Sequence, residues 1–299
     1  MSRISKKHKI IIIVIILVIP IIPYFLFLNY CPSSTKISYA GFNFDKNEEK
    51  LYLYDSILWD TGLTGSVIYE ECKGKVPNRV RVSSSIFIDV FNKKRIVPLC
   101  YSKQFNFGDS LSIHNFFFCI LKNKMEAESH NEIGAIGMSV ISKANWLIDF
   151  NLGKVETFSK DKTEPKDEQA HLIFKYEETY RPKICLDFSV CQIEDVLIDA
   201  GSNCEITLFK SDIEQINKKH KPLDTLQVQS YGFHSTEPVI QNLYVYDTLT
   251  INNICFQNVQ IIEGNSQRLI GFKFFKRFDK VFLDTKENRF YFYSANTDL

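Results

Sequence analysis

Asp60 ends a short apolar run and is followed at once by threonine and glycine, in the stretch LWDTGLTGSVIYE at residues 58–70. A carboxylate held behind apolar residues loses hydration. It therefore needs hydrogen-bond donors, a second charge, or a chemical role that uses its altered proton affinity. An isolated aspartate before glycine is most often a turn residue. This stretch alone leaves a structural and a catalytic role open.

The same pattern recurs in the second half of the chain as LIDAGSNCEITLF at residues 197–209, which places Asp199 139 positions after Asp60. A single Asp-Thr-Gly is a weak signal, because it arises by chance at average composition. Two acids at matched positions behind apolar pairs are much harder to explain by turn chemistry alone. The recurrence favours a role that uses both carboxylates.

Two further pairs of segments match in the same order. LSIHNFFF at residues 111–118 is matched by LTINNICF at 249–256, and AIGMSVISKANWLIDFNLGKVETFS at 135–159 by LIGFKFFKRFDKVFLDTKENRFYFYS at 269–294. Three matched blocks in one order indicate an internal duplication. Each copy of the last block contains an Ile-Gly dipeptide: Ile136-Gly137 and Ile270-Gly271.

Two apolar residues before Asp-Thr-Gly, with two apolar residues before a glycine later in the same half, resemble the half-unit of pepsin-like and retropepsin-like aspartic proteases. The segments GAIGMSVISKANWLIDF and RLIGFKFFKRFDKVFLD are similar in particular to bacterial single-chain members with two lobes. The resemblance covers about residues 36–295. It implies a mainly β, bilobal, pepsin-like fold made by duplication of a retropepsin-type unit, acting as a monomeric pseudo-dimer.

The resemblance also implies a mechanism. Asp60 and Asp199 would form a catalytic dyad, in which two close carboxylates share one proton because both cannot ionise cheaply. One would accept a proton from water while the other donates to the peptide carbonyl, so no metal or cofactor is implied. The substrate would be an extended peptide or protein segment bound as an added strand.

The neighbouring residues take supporting roles by the same resemblance. Gly62 and Gly201 would allow the tight turns after the aspartates, and Thr61 would reach the backbone of the opposite loop. Gly137 and Gly271 would let the backbone pass close behind each aspartate loop, since they carry no side chain.

Two positions depart from the family pattern. Ala200 stands where the first half has Thr61, so one of two reciprocal hydrogen bonds between the loops is missing. Leu63 stands where the family usually has a small residue, as Ser202 does in the second half. This leucine either narrows the site or points into the core of its lobe.

The elements that must position these residues are mostly strands. Short runs rich in Ile, Val, Phe and Tyr recur along the chain, as in RIVPLCY and NLYVYDTLTI, and they predict strands. Short helices are predicted near residues 139–145, 208–220 and 271–278. Hairpins covering the substrate are predicted at 86–101 and 226–241, with Tyr231 near the second tip.

The charge-dense stretch SKDKTEPKDEQA at residues 159–170 predicts a linker between lobes at 36–158 and 171–299.

Eight cysteines permit one or two disulfides or, equally, small buried thiols. The six histidines show no metal-binding spacing. Residues 10–299 contain 32 of the 36 basic residues and all 35 acidic ones, so this part of the chain is mildly acidic. A mildly acidic body argues against nucleic acid as a partner.

The N-terminus predicts a membrane anchor. Residues 1–9 carry four basic residues and no acid, and residues 10–28, IIIIVIILVIPIIPYFLFL, carry no charge over a bilayer-spanning length. The positive flank predicts a cytoplasmic N-terminus and a protease body outside the cytosol, periplasmic or extracellular. A cleaved signal peptide is the alternative, but residues 29–34 show no small-x-small cleavage site.

Three functions follow as hypotheses. The first is a membrane-anchored aspartic endopeptidase. The second keeps the fold without the chemistry, as a module that binds extended peptides, which Ala200 and Leu63 would permit. The third is a structural envelope protein. Two repelling carboxylates retained with their glycines favour the endopeptidase, because a binding module has no need of them.

Overall fold

The computed structural model describes residues 35–54, 56–89, 91–108, 111–122, 132–162, 170–177, 180–231 and 238–294. The predicted cytoplasmic end at 1–9 and membrane segment at 10–28 lie outside these residues, as does most of the predicted linker at 159–170. Across the described ranges, no helix has the length and apolar character needed to cross a membrane.

The chain is mainly β, as the recurring Ile-, Val-, Phe- and Tyr-rich runs predict. The strands of the first half are β1 Lys36–Ile37, β2 Gly41–Asn43, β3 Tyr52–Leu53, β4 Ile57–Trp59, β5 Ser66–Tyr69, β6 Val80–Ile88, β7 Lys94–Phe107, β8 Leu111–Leu121, β9 Gly134–Ile136, β10 Asn145–Asp149 and β11 Lys154–Phe158. The strands of the second half are β12 Leu172–Lys175, β13 Lys183–Asp187, β14 Gln192–Asp199, β15 Ile206–Phe209, β16 Asp224–Ser230, β17 Val239–Ile251, β18 Ile254–Gly264, β19 Arg268–Gly271, β20 Lys280–Asp284 and β21 Arg289–Tyr293.

The described helices are short. A 3-10 helix covers Glu70–Lys75, and the α-helices are α1 Met138–Ile141, α2 Lys210–Ile216 and α3 Phe272–Phe275. The α-helices lie in the three predicted regions, but each is shorter than predicted. After α1 the chain soon enters strand β10 at Asn145, because Trp146 and Ile148 are buried in a sheet.

Two of the three sheets repeat one another. The first has the strand order β3-β4-β9-β5-β8-β7-β6, with β1 added against β8. The second has the order β13-β14-β19-β15-β18-β17-β16. Each strand of the first path therefore has a counterpart in the second, and the duplication inferred from sequence is present in the strand connections.

The register confirms one matched block. Trp59 of β4 pairs in parallel with Ile136 of β9, and Ile198 of β14 pairs in parallel with Ile270 of β19. Each Ile-Gly dipeptide therefore lies beside the end of the strand that carries an aspartate.

Another matched block is wrong. Residues 111–118 lie inside strand β8, whereas residues 249–256 span the end of β17, a turn and the start of β18. The parallel pairs Val67–Cys119 and Ile206–Ile261 mark the true correspondence between β8 and β18. Alternating apolar residues look alike in any strand, so similarity of pattern did not fix the register.

The third sheet contains strands from both halves, in the order β12-β21-β20-β10-β11-β2. Its centre is the antiparallel pair β10–β20, in which Trp146 lies opposite Leu283. Asn145 adds side-chain bonds across this boundary: its Oδ1 accepts the backbone N–H of Thr285 at 2.8 Å. The Thr285 hydroxyl donates to the Ala144 carbonyl at 2.9 Å.

A continuous apolar core runs beneath the sheets of both halves. Trp59, just before the first aspartate, packs against Trp146 of the third sheet with ring centroids 5.8 Å apart. Phe274 of α3 packs against Phe256 and Phe292 at 5.5 and 6.0 Å. The strand that carries Asp60 is therefore fixed from behind by aromatic packing.

Cysteine pairing is resolved for most of the chain. The seven described cysteines, Cys72, Cys100, Cys119, Cys185, Cys191, Cys204 and Cys255, are all free thiols. Cys31 lies outside the described residues. The sequence left disulfides and free thiols equally open, and these seven cysteines are free thiols.

Candidate active site

The two aspartates end equivalent strands. Asp60 directly follows β4, and its backbone N–H donates to the Ile136 carbonyl at 3.1 Å. Asp199 is the last residue of β14 and pairs in parallel with Gly271. Each aspartate therefore lies at the end of a strand, β4 or β14. The strand paired with it, β9 or β19, leads into an Ile-Gly dipeptide.

The carboxyl groups of Asp60 and Asp199 face one another and are hydrogen-bonded. A Cβ atom built on Gly62 would overlap the Asp199 carboxyl, and one built on Gly201 would overlap the Asp60 carboxyl. Each aspartate therefore lies against the glycine of the opposite loop.

This geometry corrects the predicted role of these two glycines. Neither Gly62 nor Gly201 has a positive φ, so the turn itself does not require glycine at either position. Glycine is required because any side chain would occupy the space of the opposite carboxyl group.

Backbone N–H groups hold each carboxylate within its own loop. Asp60 Oδ1 accepts the N–H of Gly62 at 2.8 Å and that of Leu63 at 3.1 Å. Asp199 Oδ1 accepts the N–H of Gly201 at 3.1 Å. These donors fix the side-chain orientation and stabilise negative charge on the pair.

The pKa of both carboxyl groups is raised, strongly so for Asp60. Burial is the main cause at Asp60, followed by the negative charge of Asp199 and the hydrogen bond between the two groups. At Asp199 burial is opposed by the hydrogen bond from Asp60, the Gly201 N–H and the positive charge of Lys50. Asp60 is 4% exposed, whereas Asp199 is half-buried. Both carboxyl groups therefore hold a proton more tightly than an exposed aspartate does, and the pair favours a state that shares one proton.

Thr61 joins the two loops, as predicted. Its hydroxyl donates to the Ile198 carbonyl at 2.8 Å and accepts the N–H of Ala200 at 3.0 Å. Both Thr61 and Ala200 are fully buried. Ala200 has no hydroxyl and cannot form the equivalent side-chain hydrogen bonds to the first loop. The side-chain link between the loops therefore comes from Thr61 alone at this pair of positions.

Gly137 and Gly271 occupy equivalent places behind the aspartate loops. Their backbone angles nearly coincide, with φ −102° and ψ −174° at Gly137 and φ −104° and ψ −175° at Gly271. A Cβ atom on Gly137 would lie 2.6 Å from the Leu63 carbonyl oxygen, and one on Gly271 would lie 2.8 Å from that of Ser202. The close approach predicted for these glycines is present.

Leu63 packs towards the interior of its own half. It contacts a small apolar cluster that includes Phe87 and Val97, which belong to the hairpin formed by β6 and β7. We call this the first hairpin. At the matching position Ser202 is polar, and its hydroxyl donates to the Cys204 sulfur at 3.3 Å. The two sides of the dyad therefore differ in polarity.

A cleft of about 510 Å³ lies beside the second aspartate loop, and we call it the Asp199 cleft. Phe91, near the end of the first hairpin, lines it together with Tyr231. Tyr231 follows β16 in the second hairpin, β16–β17, and is 47% exposed. Both predicted hairpins are present, and both reach this cleft. Residues 232–237 at the second tip lie outside the described residues.

Sequence reasoning missed Lys50. Its side chain lines the Asp199 cleft, and its positive charge acts on Asp199 although the two residues belong to different halves of the chain. Lys50 precedes an ordinary strand and belongs to no motif. Only the folded arrangement brings it to the site, so no local signal in the sequence could have identified it.

A scan against protein-family models finds no match to this chain, and a search of curated proteins finds no similar sequence. Within the described part of the chain, no group of three or more His, Cys, Asp or Glu side chains is placed to hold a metal ion. The functional interpretation therefore depends on the site itself. Two facing carboxyl groups that share a proton provide a general acid and a general base at one point.

Proposed function

We propose that this protein is an aspartic endopeptidase with a bilobal, pepsin-like fold, anchored to a membrane by residues 10–28 with its body outside the cytosol. One observation carries the proposal: Asp60 and Asp199 face each other across two equivalent loops and are hydrogen-bonded, with raised pKa values. The repeated strand order of the two sheets supports the fold assignment.

In the proposed mechanism, a water molecule is bound between the carboxyl groups. The charged Asp199 takes a proton from this water as its oxygen attacks the carbon of the peptide carbonyl. Protonated Asp60 donates its proton to the carbonyl oxygen, giving a tetrahedral diol. The proton now on Asp199 passes to the amide nitrogen as the carbon–nitrogen bond breaks. At the same time Asp60 takes back the proton of one diol hydroxyl, which leaves a carboxylic acid, a free amine and the dyad in its starting state.

The substrate is proposed to lie extended between the two hairpins. Phe91 and Tyr231 line the same cleft, which supports closure from both halves. An extended peptide adds hydrogen bonds to strand edges, while its side chains alternate between the two sides of the dyad. This arrangement selects an extended segment of peptide or protein.

The deciding experiment uses the full chain in detergent micelles and an unbiased peptide mixture. Cleavage is followed by mass spectrometry between about pH 3 and pH 8, the range over which aspartates with raised pKa values titrate. We expect cleavage that a statine-type transition-state mimic blocks. Asp60→Asn and Asp199→Asn should each abolish it, because either change removes the shared proton system.

Asp247→Asn is the matched control, since Asp247 is exposed on β17. It should cleave at the wild-type rate. Wild-type turnover by either dyad variant would disprove the shared-dyad mechanism. A folded wild-type protein that binds peptides but cleaves none would favour the peptide-binding module instead.

A further inference from the structure

The Asp199 cleft has a charged lining. Lys50 lines it and is half-buried; its charge acts on Asp199, but its ammonium group forms no hydrogen bond or close ion pair with another described residue. A partly desolvated ammonium group without a partner is costly, and a carboxylate would satisfy it. The feature therefore points to an anionic group on a ligand.

We propose that the Asp199 cleft selects an acidic side chain of the peptide substrate, with Lys50 as the residue that binds it. This proposal rests on the endopeptidase function proposed above. It adds a substrate class to that function: extended segments with Glu or Asp on the side of the scissile bond next to Asp199.

The other charges around the cleft leave Lys50 available. Glu205 is 2% exposed and forms an ion pair with Arg277 at 2.5 Å, so it carries no free charge into the cleft. Glu49 also lines the cleft and keeps its negative charge, and its carboxylate accepts a hydrogen bond from the neutral Asn203 side chain at 2.8 Å.

A second lysine adds to the positive potential. Lys273 also lines the cleft and donates to the neutral side chain of Gln260 at 2.7 Å, so its charge is not neutralised. Apart from the dyad, and with Glu205 paired to Arg277, the described lining places two lysines beside the carboxylate of Glu49. The lining favours an acidic group over a basic one.

The opposite side of the dyad gives the contrast. Beneath the first hairpin, Leu63 contacts the apolar cluster that includes Phe87 and Val97. On the Asp199 side, Lys50 and Asn203 instead line the cleft. A substrate spanning the dyad therefore passes the partly buried Leu63 on one side and a positively charged cleft on the other. The acid preference should appear at positions on one side of the scissile bond only.

The test uses the full chain and internally quenched peptides that carry Glu, Gln or Leu at each position flanking the scissile bond. All C-termini are amidated. We expect one position where Glu gives a kcat/KM about tenfold above Gln, the effect of one charge-assisted hydrogen bond. Lys50→Gln should remove this ratio, Lys50→Arg should retain it, and Lys50→Glu should reverse it in favour of a Lys-containing peptide.

Lys46→Glu is the matched control, since Lys46 is an exposed lysine of the same segment that lies in a different surface depression. It should keep the wild-type Glu/Gln ratio. Each variant is measured at its own pH optimum, because Lys50 also acts on Asp199. A ratio near one in the wild type, or a ratio unchanged by Lys50→Gln, would overturn the proposal.

Two further arms separate the remaining explanations. A second peptide set with free C-terminal carboxylates tests whether the recognised group is a chain terminus; a preference seen only there contradicts the side-chain assignment. If the wild type cleaves none of the peptides, the endopeptidase proposal fails. Fluorescence anisotropy of the same peptides then tests the cleft alone, and a Glu preference lost in Lys50→Gln would support it, while equal binding would refute it.

Discussion

The two aspartates are chemically the same residue in unequal settings. Asp60 is deeply buried. Asp199 is more exposed, and the positive charge of Lys50 lowers its pKa. Burial favours the neutral form, and a nearby cation favours the charged form. The two carboxyl groups therefore have different environments, in keeping with the separate acid and base roles proposed for them.

The raised pKa values make stability depend on pH. The folded protein binds the dyad's proton more tightly than the unfolded chain, whose aspartates have a pKa of about 3.9. The dyad thus contributes most favourably below that pH, and this contribution is lost as the pH rises through the raised pKa values. Asp60→Asn removes the ionisable group and keeps the acceptor for the Gly62 N–H.

We expect Asp60→Asn to increase the free energy of unfolding at pH 7 by about 1 kcal/mol or more, since a tenfold change in proton affinity corresponds to about 1.4 kcal/mol. The gain should shrink towards about pH 3, where the wild-type dyad is protonated. Urea unfolding at both pH values measures it, with Asp247→Asn as the control. An equal effect at both pH values would contradict the assignment.

At the scale of elements, each aspartate loop is supported by the turn between a strand and a one-turn helix. Gly271 lies at the junction of β19 and α3, directly behind the second aspartate loop. The N–H of Phe272 donates to the Ser202 carbonyl at 2.8 Å, so the two segments are in direct backbone contact. A side chain at this point would separate them.

Gly271→Ala should therefore lower the free energy of unfolding by about 1 to 3 kcal/mol, the range expected of overpacking, and displace Asp199 enough to reduce cleavage. Thermal unfolding and peptide cleavage measure the two effects. Gly74→Ala is the control, because a Cβ atom at Gly74 would meet nothing within 4 Å. Full stability and activity of Gly271→Ala would show that the close contact is not required.

Sequence patterns predicted the features that depend on local chemistry. The aspartates, the Ile-Gly dipeptides and both hairpins could be located, because turn residues and apolar alternation are short-range signals. The β8–β18 correspondence could not, since the register of a hairpin depends on its turn and alternating strands resemble one another. The contribution of Lys50 depends on contacts between the halves, which no local pattern encodes.

At the scale of the whole molecule, the third sheet holds the two repeated sheets together. Asn145 is fully buried within it; its Nδ2 donates to the Lys162 carbonyl at 2.7 Å, and its Oδ1 accepts the Thr285 N–H. The dyad requires the halves to keep their relative position, because each carboxyl group contacts the opposite loop. The catalysis proposed for this site therefore depends on the stability of this sheet.

Asn145→Ala should lower the free energy of unfolding by about 2 to 4 kcal/mol, because it leaves the buried Thr285 N–H without its acceptor and removes the bond to the Lys162 carbonyl. Denaturant unfolding measures the loss, and peptide cleavage at low denaturant shows whether activity falls first. Asn151→Ala is the control, since Asn151 is exposed. A loss below about 0.5 kcal/mol, the size expected of ordinary surface changes, would refute this role.

The covalent link between two repeated halves has a further consequence. A dimer of identical subunits must place the same residue at both equivalent positions, so every change is made twice. In this chain, Thr61 and Ala200 differ, as do Leu63 and Ser202, while the third sheet keeps the halves together. The two halves can therefore carry different residues at equivalent positions. The first half supplies the Thr61 hydroxyl that joins the loops, and the second half supplies most of the polar cleft.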